Sequence, residues 1–339
     1  MADHMSCGAV FYRSKTKLLQ LLAVLLAAVV PFAQAQSDRA DTRLSGSVRI
    51  SGSPADKALL DVLQAAFSAR HPAVAFTQSL YGPESTLAGV YTGTADLALM
   101  GRELREPMER MAYEWAMLDK PLLIAIAEAG IESPRLSTQL GVFVHRDNPL
   151  RQLSLRQLDA IYGAEPRRGS TNLRSWGQLV REPTWAHRPI RVHGPAVDSV
   201  QALHLRRVVL KDSRKWNPEY RQANSEGRQV VEAVADDVEG IGFGPVRDAL
   251  PGVRLLALSE DDDGQFYLPN VDSIRAGNYP LGRTIGVVPA RGKEKPMRPE
   301  VKAFVSFLLS ADGQAIIQRD GSYLPLSEKR VAAERGKLP

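Results

Sequence analysis

The chain has 339 residues, a length that predicts two domains, and it carries 43 Lys and Arg against 38 Asp and Glu for a formal net charge of +5. With 44% hydrophobic and 24% charged residues, it has the composition of a folded globular protein, which excludes collagen-like, low-complexity and largely disordered chains. The small net charge does not suggest a nucleic-acid binder, and a single cysteine excludes a disulfide framework and a Cys-rich zinc module.

The N-terminal segment predicts export. A basic stretch over residues 13–17 precedes an apolar run over residues 18–32, which ends in the small-residue sequence Ala33-Gln34-Ala35. These are the parts of a secretory signal peptide, and the run is shorter than the ~20 residues that a membrane-spanning helix needs. We expect cleavage after Ala35 and a periplasmic product that has lost Cys7, the only thiol.

The first part of the remaining chain predicts alternating strands and helices. Apolar residues at i, i+3 and i+4 favour a helix over residues 55–70, and His71-Pro72 ends it. The turns between elements are rich in Ser, Gly and Pro. The pattern β-turn-α-β, present twice, predicts an α/β domain, with strands at residues 47–50, 74–79 and 95–100 and a second helix at 87–92.

The alternation of predicted strands and helices continues from residue 141. Ser154 predicts the N-cap of a helix that Gly163 ends. We expect the Lys-, Arg- and Glu-rich C-terminal tail to be a solvated end. The further predicted strands are at residues 141–145, 189–193, 240–244 and 253–258, and the predicted helices at 155–162, 198–210, 229–235, 299–309 and 312–318.

Hydroxyl side chains occupy three of the strand-to-helix turns, at Ser53, at Ser85 and Thr86, and at Ser199. A helix N-terminus offers free N–H groups and a partial positive charge, so several such ends in one cleft would form an oxyanion site. Each hydroxyl taken alone is explained equally well as a helix N-cap.

Charged residues near these turns bear on the same site. Arg102 follows a predicted strand and could reach the crevice at the carboxyl edge of the sheet, although a salt bridge to Glu103 or Glu106 is the alternative. Glu84 and Asp198 lie in the candidate anion loops, where a carboxylate about 4 Å from an anion costs several kcal/mol. They help only if the ligand bears a proton, as hydrogen phosphate does.

Other chemistries find no support. The histidines lack metal-ligand spacing such as HExxH, and the acidic turn at residues 261–264 has no Glu at the twelfth loop position of a calcium site. There is no GxSxG motif, P-loop or dinucleotide fingerprint. We therefore expect no enzyme activity, no metal and no cofactor.

The sequence resembles the phosphate-type substrate-binding proteins of bacterial ABC transporters from about residue 48 to residue 326. Residues 91–104 match the family pattern G-T-A-D-L-x-x-M-S-R-E, and Gly52-Ser53 precedes the first helix as in the family. The other matching stretches are VHRDNPL, LSLRQLDAIYG, SWGQL, WAHRPIRVHG, VVEAVADDVEGIGFG, GNYPLGR and SADGQAIIQRDGSYLPL.

The resemblance implies a two-lobed periplasmic-binding-protein clamshell of type II, in which each lobe is a central sheet flanked by helices. Lobe one would comprise residues 44–140 plus 264–330 and lobe two residues 141–263, with hinges near Leu140 and Asp263. The family holds an oxyanion such as phosphate in the cleft and delivers it to an inner-membrane permease. Carried over by position, the ligand-binding residues are Ser53, Ser85, Thr86 and Arg102 in lobe one and Ser199 in lobe two. We expect Glu84 or Asp198, which the family pattern does not supply, to accept a ligand proton. We expect a monomer.

Three departures keep other functions open. Glu84 replaces a family glycine, Gly101 replaces a serine, and the second-lobe loop G-R-x-x-x-S-G-T becomes GPAVDSVQ. The chain could therefore have lost phosphate binding and act as a sensor or partner-binding protein. It could also bind a cationic or zwitterionic ligand through Glu84 and Asp198.

Overall fold

A computed structural model of the chain describes residues 44–133, 138–223 and 227–339. The predicted signal peptide and Cys7 lie outside these residues. The first part forms β1 (Gly46–Ser51), α1 (Lys57–Ser68), β2 (Val74–Ser79), α2 (Thr86–Tyr91), β3 (Leu97–Met100), α3 (Met108–Met117) and β4 (Ile124–Ala129). The middle part forms β5 (Leu140–His145), β6 (Gln152–Ser154), α4 (Leu155–Tyr162), β7 (Arg191–Pro195), α5 (Val200–Val208), β8 (Arg221–Ala223), α6 (Arg228–Ala235), β9 (Gly240–Pro245), β10 (Val253–Leu255), β11 (Ala257–Ser259) and α7 (Val271–Arg275). The last part forms β12 (Thr284–Pro289), α8 (Pro299–Leu308), α9 (Ala311–Asp320), β13 (Tyr323–Pro325) and α10 (Glu328–Arg335).

These elements build two main sheets. The first has the order β13-β4-β12-β3-β1-β2, and the second has the order β10-β5-β9-β7-β8. Strands β6 and β11 form a short parallel pair. Each main sheet draws its strands from one lobe, and helices flank it, so the predicted α/β class is confirmed.

Each lobe has its own hydrophobic core. In lobe one, Leu59, Leu63 and Phe67 of α1 are buried with Ile50 of β1 and Phe304 of α8. This is the helical spacing that the sequence showed, and it places one apolar face of α1 on the sheet. The core of lobe two forms around the fully buried Trp176 and the inner faces of β5, β7 and β9.

The two chain crossings between the lobes are hydrogen-bonded to each other. Gln139 Nε2 donates to the carbonyl of Ala129 at 2.9 Å, and the backbone N–H of Arg283 donates to Gln139 Oε1 at 3.2 Å. The outward crossing lies just before β5, which begins at Leu140.

The return crossing lies later than the predicted boundary near Asp263. Ile274, Tyr279 and Leu281 pack into the core of lobe two, and the chain enters the first sheet only at β12. The acidic turn at residues 261–264 is a surface excursion, because Tyr267 returns to exchange backbone hydrogen bonds with Leu258.

The C-terminal tail is also different from the expectation of a solvated end. It forms α10, in which Glu334 is only 2% exposed. Glu334 accepts a hydrogen bond from the backbone of Ala125 at 2.9 Å and pairs with Arg330 and Lys337. Its charge is satisfied by the edge of β4 and by neighbours on its own segment, so the tail is part of lobe one.

Candidate functional site

The candidate residues of lobe one lie at a switch in strand order. Strand β1 is parallel to both β2 and β3 and lies between them. The carboxyl ends of three adjacent strands therefore meet at one edge, which is where open α/β sheets bind their ligands. Ser53 follows β1, Ser85 and Thr86 follow β2, and Arg102 follows β3.

Direct contacts join these three loops. The backbone N–H of Gly82 donates to the carbonyl of Gly52 at 3.1 Å, and Ser51 Oγ donates to the carbonyl of Thr86 at 2.6 Å. Arg102 Nη2 lies 3.6 Å from Glu84 Oε2. The structure thus brings the lobe-one candidates to a single edge of the sheet.

The hydroxyl groups there already have local partners. Ser53 Oγ accepts a hydrogen bond from the backbone of Ala55 at 3.3 Å, as the N-cap alternative predicted. Ser85 Oγ and Thr86 Oγ1 both donate to the carbonyl of Gly82, at 3.1 and 2.9 Å. Ser85 and Thr86 could therefore donate to an anion only if their hydrogen bonds to Gly82 were broken.

Arg102 is held by a carboxylate that the sequence did not suggest. Its side chain is 1% exposed, and Nη1 and Nη2 donate to the two carboxylate oxygens of Glu109 at 2.9 and 2.6 Å. Neither of the expected partners, Glu103 and Glu106, forms this pair. The Nε of Arg102 has no hydrogen-bond partner among the described residues. Glu109 was missed because its helix, α3, was not predicted.

A second ion pair lies beside it. Arg105 Nε and Nη2 donate to the two carboxylate oxygens of Glu84, both at 2.9 Å. These hydrogen bonds from Arg105 hold the pKa of Glu84 below its ordinary value. Arg105 Nη2 also donates to the backbone carbonyl of Asp198 at 3.2 Å and so connects lobe one to lobe two. Arg105 has no motif signature in the sequence.

Asp198 and Ser199 lie at the corresponding place in lobe two. Strand β7 is parallel to β8 on one side and β9 on the other, and both residues follow it. Ser199 Oγ accepts from the backbone of Ala202 at 3.1 Å and caps α5. The side chain of Gln201, where the family has threonine, is buried in the first turn of this helix. The switch points of the two lobes therefore face each other across the Arg105–Asp198 contact.

The segment after Arg102 forms a seam with lobe two. Glu103 Oε1 lies 2.7 Å from His204 Nδ1, Arg207 Nη1 donates to the carbonyl of Leu104 at 3.0 Å, and Arg214 Nη2 donates to the carbonyl of Glu106 at 3.1 Å. These contacts join the two lobes along the segment after β3.

Glu103 interacts with two neighbouring side chains in this seam, Arg283 and His204. Burial opposes the ionisation of Glu103, but Arg283 at 3.5 Å and His204 together hold its pKa below its ordinary value. The second ring nitrogen of His204 faces the carbonyl of Leu281 at 3.0 Å. Both ring nitrogens of His204 therefore lie within hydrogen-bond distance of an oxygen acceptor.

A cavity of about 600 Å³ opens between the lobes beside the Glu84–Arg105 pair. Lobe one contributes Glu84, Tyr91, Arg105, Met108, Glu109 and Ala112 to its wall. Lobe two contributes Val197, Asp198, Arg206, Arg214 and Trp216. Of the residues predicted from the sequence, Glu84 and Asp198 line the cavity, whereas the hydroxyl residues and Arg102 are not among its lining residues.

The described residues form neither a metal-binding cluster nor a membrane-spanning helix. No group of three or more His, Cys, Asp and Glu side chains in residues 44–133, 138–223 and 227–339 is placed to hold a metal ion. None of the helices in these ranges has the length and apolar character needed to cross a membrane.

The sequence matches one protein-family model and a curated bacterial protein over most of its length. A model of the PBP superfamily domain matches residues 37–312. The phosphate-binding protein PstS of Pseudomonas aeruginosa is 26% identical over 288 residues, which cover 84% of this chain and 85% of that protein.

Two solved structures match the fold. An ABC-type phosphate transport receptor from Vibrio cholerae has a TM-score of 0.55 at 20% identity, covering 82% of this chain and 99% of that one. A possible phosphate binding protein from Planctomyces limnophilus has a TM-score of 0.53 at 20% identity, covering 87% and 98%. These likenesses confirm the predicted two-lobed fold.

Proposed function

The chain belongs to the PBP superfamily, and we propose that it is a solute-binding protein that captures phosphate or a similar oxyanion between its lobes for an ABC transporter permease. The membership agrees with the predicted resemblance to phosphate-type substrate-binding proteins. The relatives named above are described as a phosphate-binding protein and a phosphate transport receptor, which supports this ligand class.

One observation carries the proposal. The switch points of both sheets, where α/β folds bind ligands, face each other and are joined by the bond from Arg105 to the carbonyl of Asp198. A ligand in this position contacts both lobes and favours the closed arrangement, because it binds that state better than an open one.

We assign roles to the predicted residues on this basis. Arg102 supplies an Nε donor that has no partner among the described residues, and the hydroxyls of Ser53, Ser85, Thr86 and Ser199 supply exchangeable hydrogen bonds.

The ion pairs favour a ligand that carries a proton. Glu109 neutralises Arg102 and Glu84 neutralises Arg105, so the site gives a fully ionised oxyanion little net attraction. The exposed carboxylate of Asp198 can accept a hydrogen bond from the proton of hydrogen phosphate, whereas sulfate has no proton to donate.

The wider setting follows from the same proposal. We place the protein in the periplasm after removal of residues 1–35, as a monomer that docks on an inner-membrane permease. It acts by binding and release, without catalysis.

Calorimetric titration of the purified, anion-stripped protein with phosphate tests the proposal. We expect saturable one-to-one binding, a weaker response to sulfate, and weaker phosphate binding by Arg105→Gln. The matched control is Arg110→Gln, because Arg110 is a half-exposed arginine nearby that pairs with Glu106 and Glu114. No heat and no melting shift at millimolar phosphate would contradict the proposal.

A second candidate function is supported by the same ion pairs. Glu109 and Glu84 occupy the paired donors of Arg102 and Arg105, so an added anion must compete with these two carboxylates for the guanidinium groups. A family member of this kind could signal through a partner protein. Affinity capture from a membrane extract distinguishes the two, because a transport protein retains a permease and a sensor retains a receptor.

A further inference from the structure

The uncompensated positive charge of the cleft lies in the wall of the interlobe cavity. The cavity arginine of lobe one, Arg105, is bidentately paired with Glu84. In lobe two, Arg214 has no carboxylate within ion-pair distance among the described residues and donates only to the carbonyl of Glu106. Its guanidinium is free to bind a further acceptor.

Arg206 adds a second, more buried cation. Its side chain is 12% exposed, its Nε has no hydrogen-bond partner in the described ranges, and the nearest carboxylate oxygen, on Asp212, is 3.7 Å away. Burial lowers the pKa of this guanidinium, which means that its charge is poorly compensated by the protein. A buried donor without an acceptor is costly, so an anion beside Arg206 is stabilised.

The remaining charges of the cavity do not cancel this attraction. Glu84 and Glu109 are neutralised by Arg105 and Arg102. The carboxylate of Asp198 is exposed and can accept a hydrogen bond from a monoprotonated phosphoryl group.

The rest of the wall is apolar and large. Tyr91, Met108 and Ala112 face Val197 and Trp216 across the cavity. The cavity volume of about 600 Å³ lies within the range of small-molecule pockets. Inorganic phosphate, with five heavy atoms, would leave most of this wall uncovered, whereas pockets of this size and mixed lining suit organic ligands.

We propose that this cavity is a further ligand site that binds an organic phosphate or phosphonate. Arg206 and Arg214 hold the phosphoryl group, and Tyr91, Met108 and Trp216 cover the organic substituent. The site goes beyond the proposed function, because its anchoring residues differ from the hydroxyl loops and Arg102.

Titration calorimetry with inorganic phosphate, phenyl phosphate and phenol tests the site on the purified full chain. We expect phenyl phosphate to bind at least about ten times more tightly than either other probe. The double variant Arg206→Gln/Arg214→Gln should weaken phenyl phosphate binding at least about tenfold and leave phosphate binding unchanged. Arg221→Gln, an exposed arginine on the same lobe, should behave as the wild type.

A second variant pair avoids any risk to the fold. Met108 and Met111 are both exposed on α3, but only Met108 lines the cavity. Met108→Ser should weaken phenyl phosphate binding about threefold, and Met111→Ser should leave it unchanged. Circular dichroism confirms that each variant is folded.

The outcomes separate this site from the proposed function. Phenyl phosphate binding no tighter than phosphate, or an equal loss of both in the arginine variant, overturns the cavity site and leaves the proposed function standing. Binding of phenyl phosphate alone, dependent on Arg206 and Arg214, supports the cavity site and removes phosphate from the proposed function. Absence of binding by all three probes overturns both.

Discussion

His204 Nδ1 of lobe two lies 2.7 Å from Glu103 Oε1 of lobe one, and the other ring nitrogen of His204 faces the carbonyl of Leu281 near the return crossing. The His204 ring therefore contacts both the segment after β3 in lobe one and the chain just before its return crossing to lobe one. Arg283, 1% exposed, approaches the same carboxylate. The contact between the two lobes at this seam therefore depends on the charge of Glu103.

Replacement of Glu103 by Gln should destabilise the protein at neutral pH by about 2 kcal/mol, because the buried guanidinium of Arg283 and the buried ring of His204 lose their carboxylate partner. The depressed pKa of Glu103 contributes stability above its unfolded value of about 4.3, and this contribution is lost as the pH falls below that value. Thermal unfolding at pH 7 and pH 3 measures the effect.

The difference in stability between the wild type and the Glu103→Gln variant should therefore be complete at pH 7 and smaller at pH 3, where part of the contribution has been lost. The matched control is Glu165→Gln, which removes an exposed ion pair with Lys215 and should change little at either pH. An equal difference at both pH values would show that the carboxylate charge does not hold the seam.

Replacement of Glu84 by Gln should strengthen phosphate binding by about tenfold, because Arg105 is released from its bidentate pair and a negative charge leaves the cleft. Calorimetric titration measures the change. Glu114→Gln, which pairs with Arg110 on α3, is the control. Weaker binding by Glu84→Gln would indicate instead that Glu84 accepts a proton from the ligand.

Replacement of Ser199 by Ala should reduce both stability and phosphate affinity. Its Oγ caps α5, and loss of an N-cap costs about 1 kcal/mol. Ser310→Ala removes the N-cap of α9 in lobe one and should give a similar stability loss with unchanged phosphate affinity. If the two variants bound phosphate equally well, Ser199 would be a cap and nothing more.

Replacement of Glu128 by Gln should stabilise the protein at alkaline pH. Burial, with a smaller contribution from Glu334, raises the pKa of Glu128 to about 7. A carboxyl group whose pKa is higher in the folded state than in the unfolded state destabilises the fold as the pH rises from about 4.3 to about 7. The free energy of unfolding of the variant should therefore exceed that of the wild type by up to about 3 kcal/mol at pH 8 and by little at pH 4.5. Denaturant unfolding at both pH values checks this, with Glu328→Gln as the exposed control. A gain that is the same at both pH values would exclude ionisation as its cause.

Most helices and strands that have a clear apolar periodicity or a capping residue were predicted from the sequence. Helix α4 begins after Ser154, whose side chain forms a capping box with Gln157, and ends before Gly163, as predicted. In contrast, α3 was missed because its exposed face carries Met108, Met111 and Trp115, which hide the contrast between apolar and polar faces. The fully buried strand β4 was not predicted either.

The site was predictable only where a residue follows a strand. The sequence placed Arg102 at the carboxyl edge of the sheet correctly, but it could not identify Glu109 as its partner without α3. Arg105, Arg206 and Arg214 meet only through the packing of the two lobes, and no local spacing marks them. Contacts between distant segments were therefore the part that needed the structure.

Hydrogen–deuterium exchange with and without millimolar phosphate tests the central claim most directly, because it reports each loop of both lobes separately. The account predicts simultaneous protection of the amides around residues 53–57 and 84–88 in lobe one and 198–202 in lobe two, on addition of phosphate. Protection confined to one lobe, or none in these loops, would contradict an oxyanion held between the two lobes.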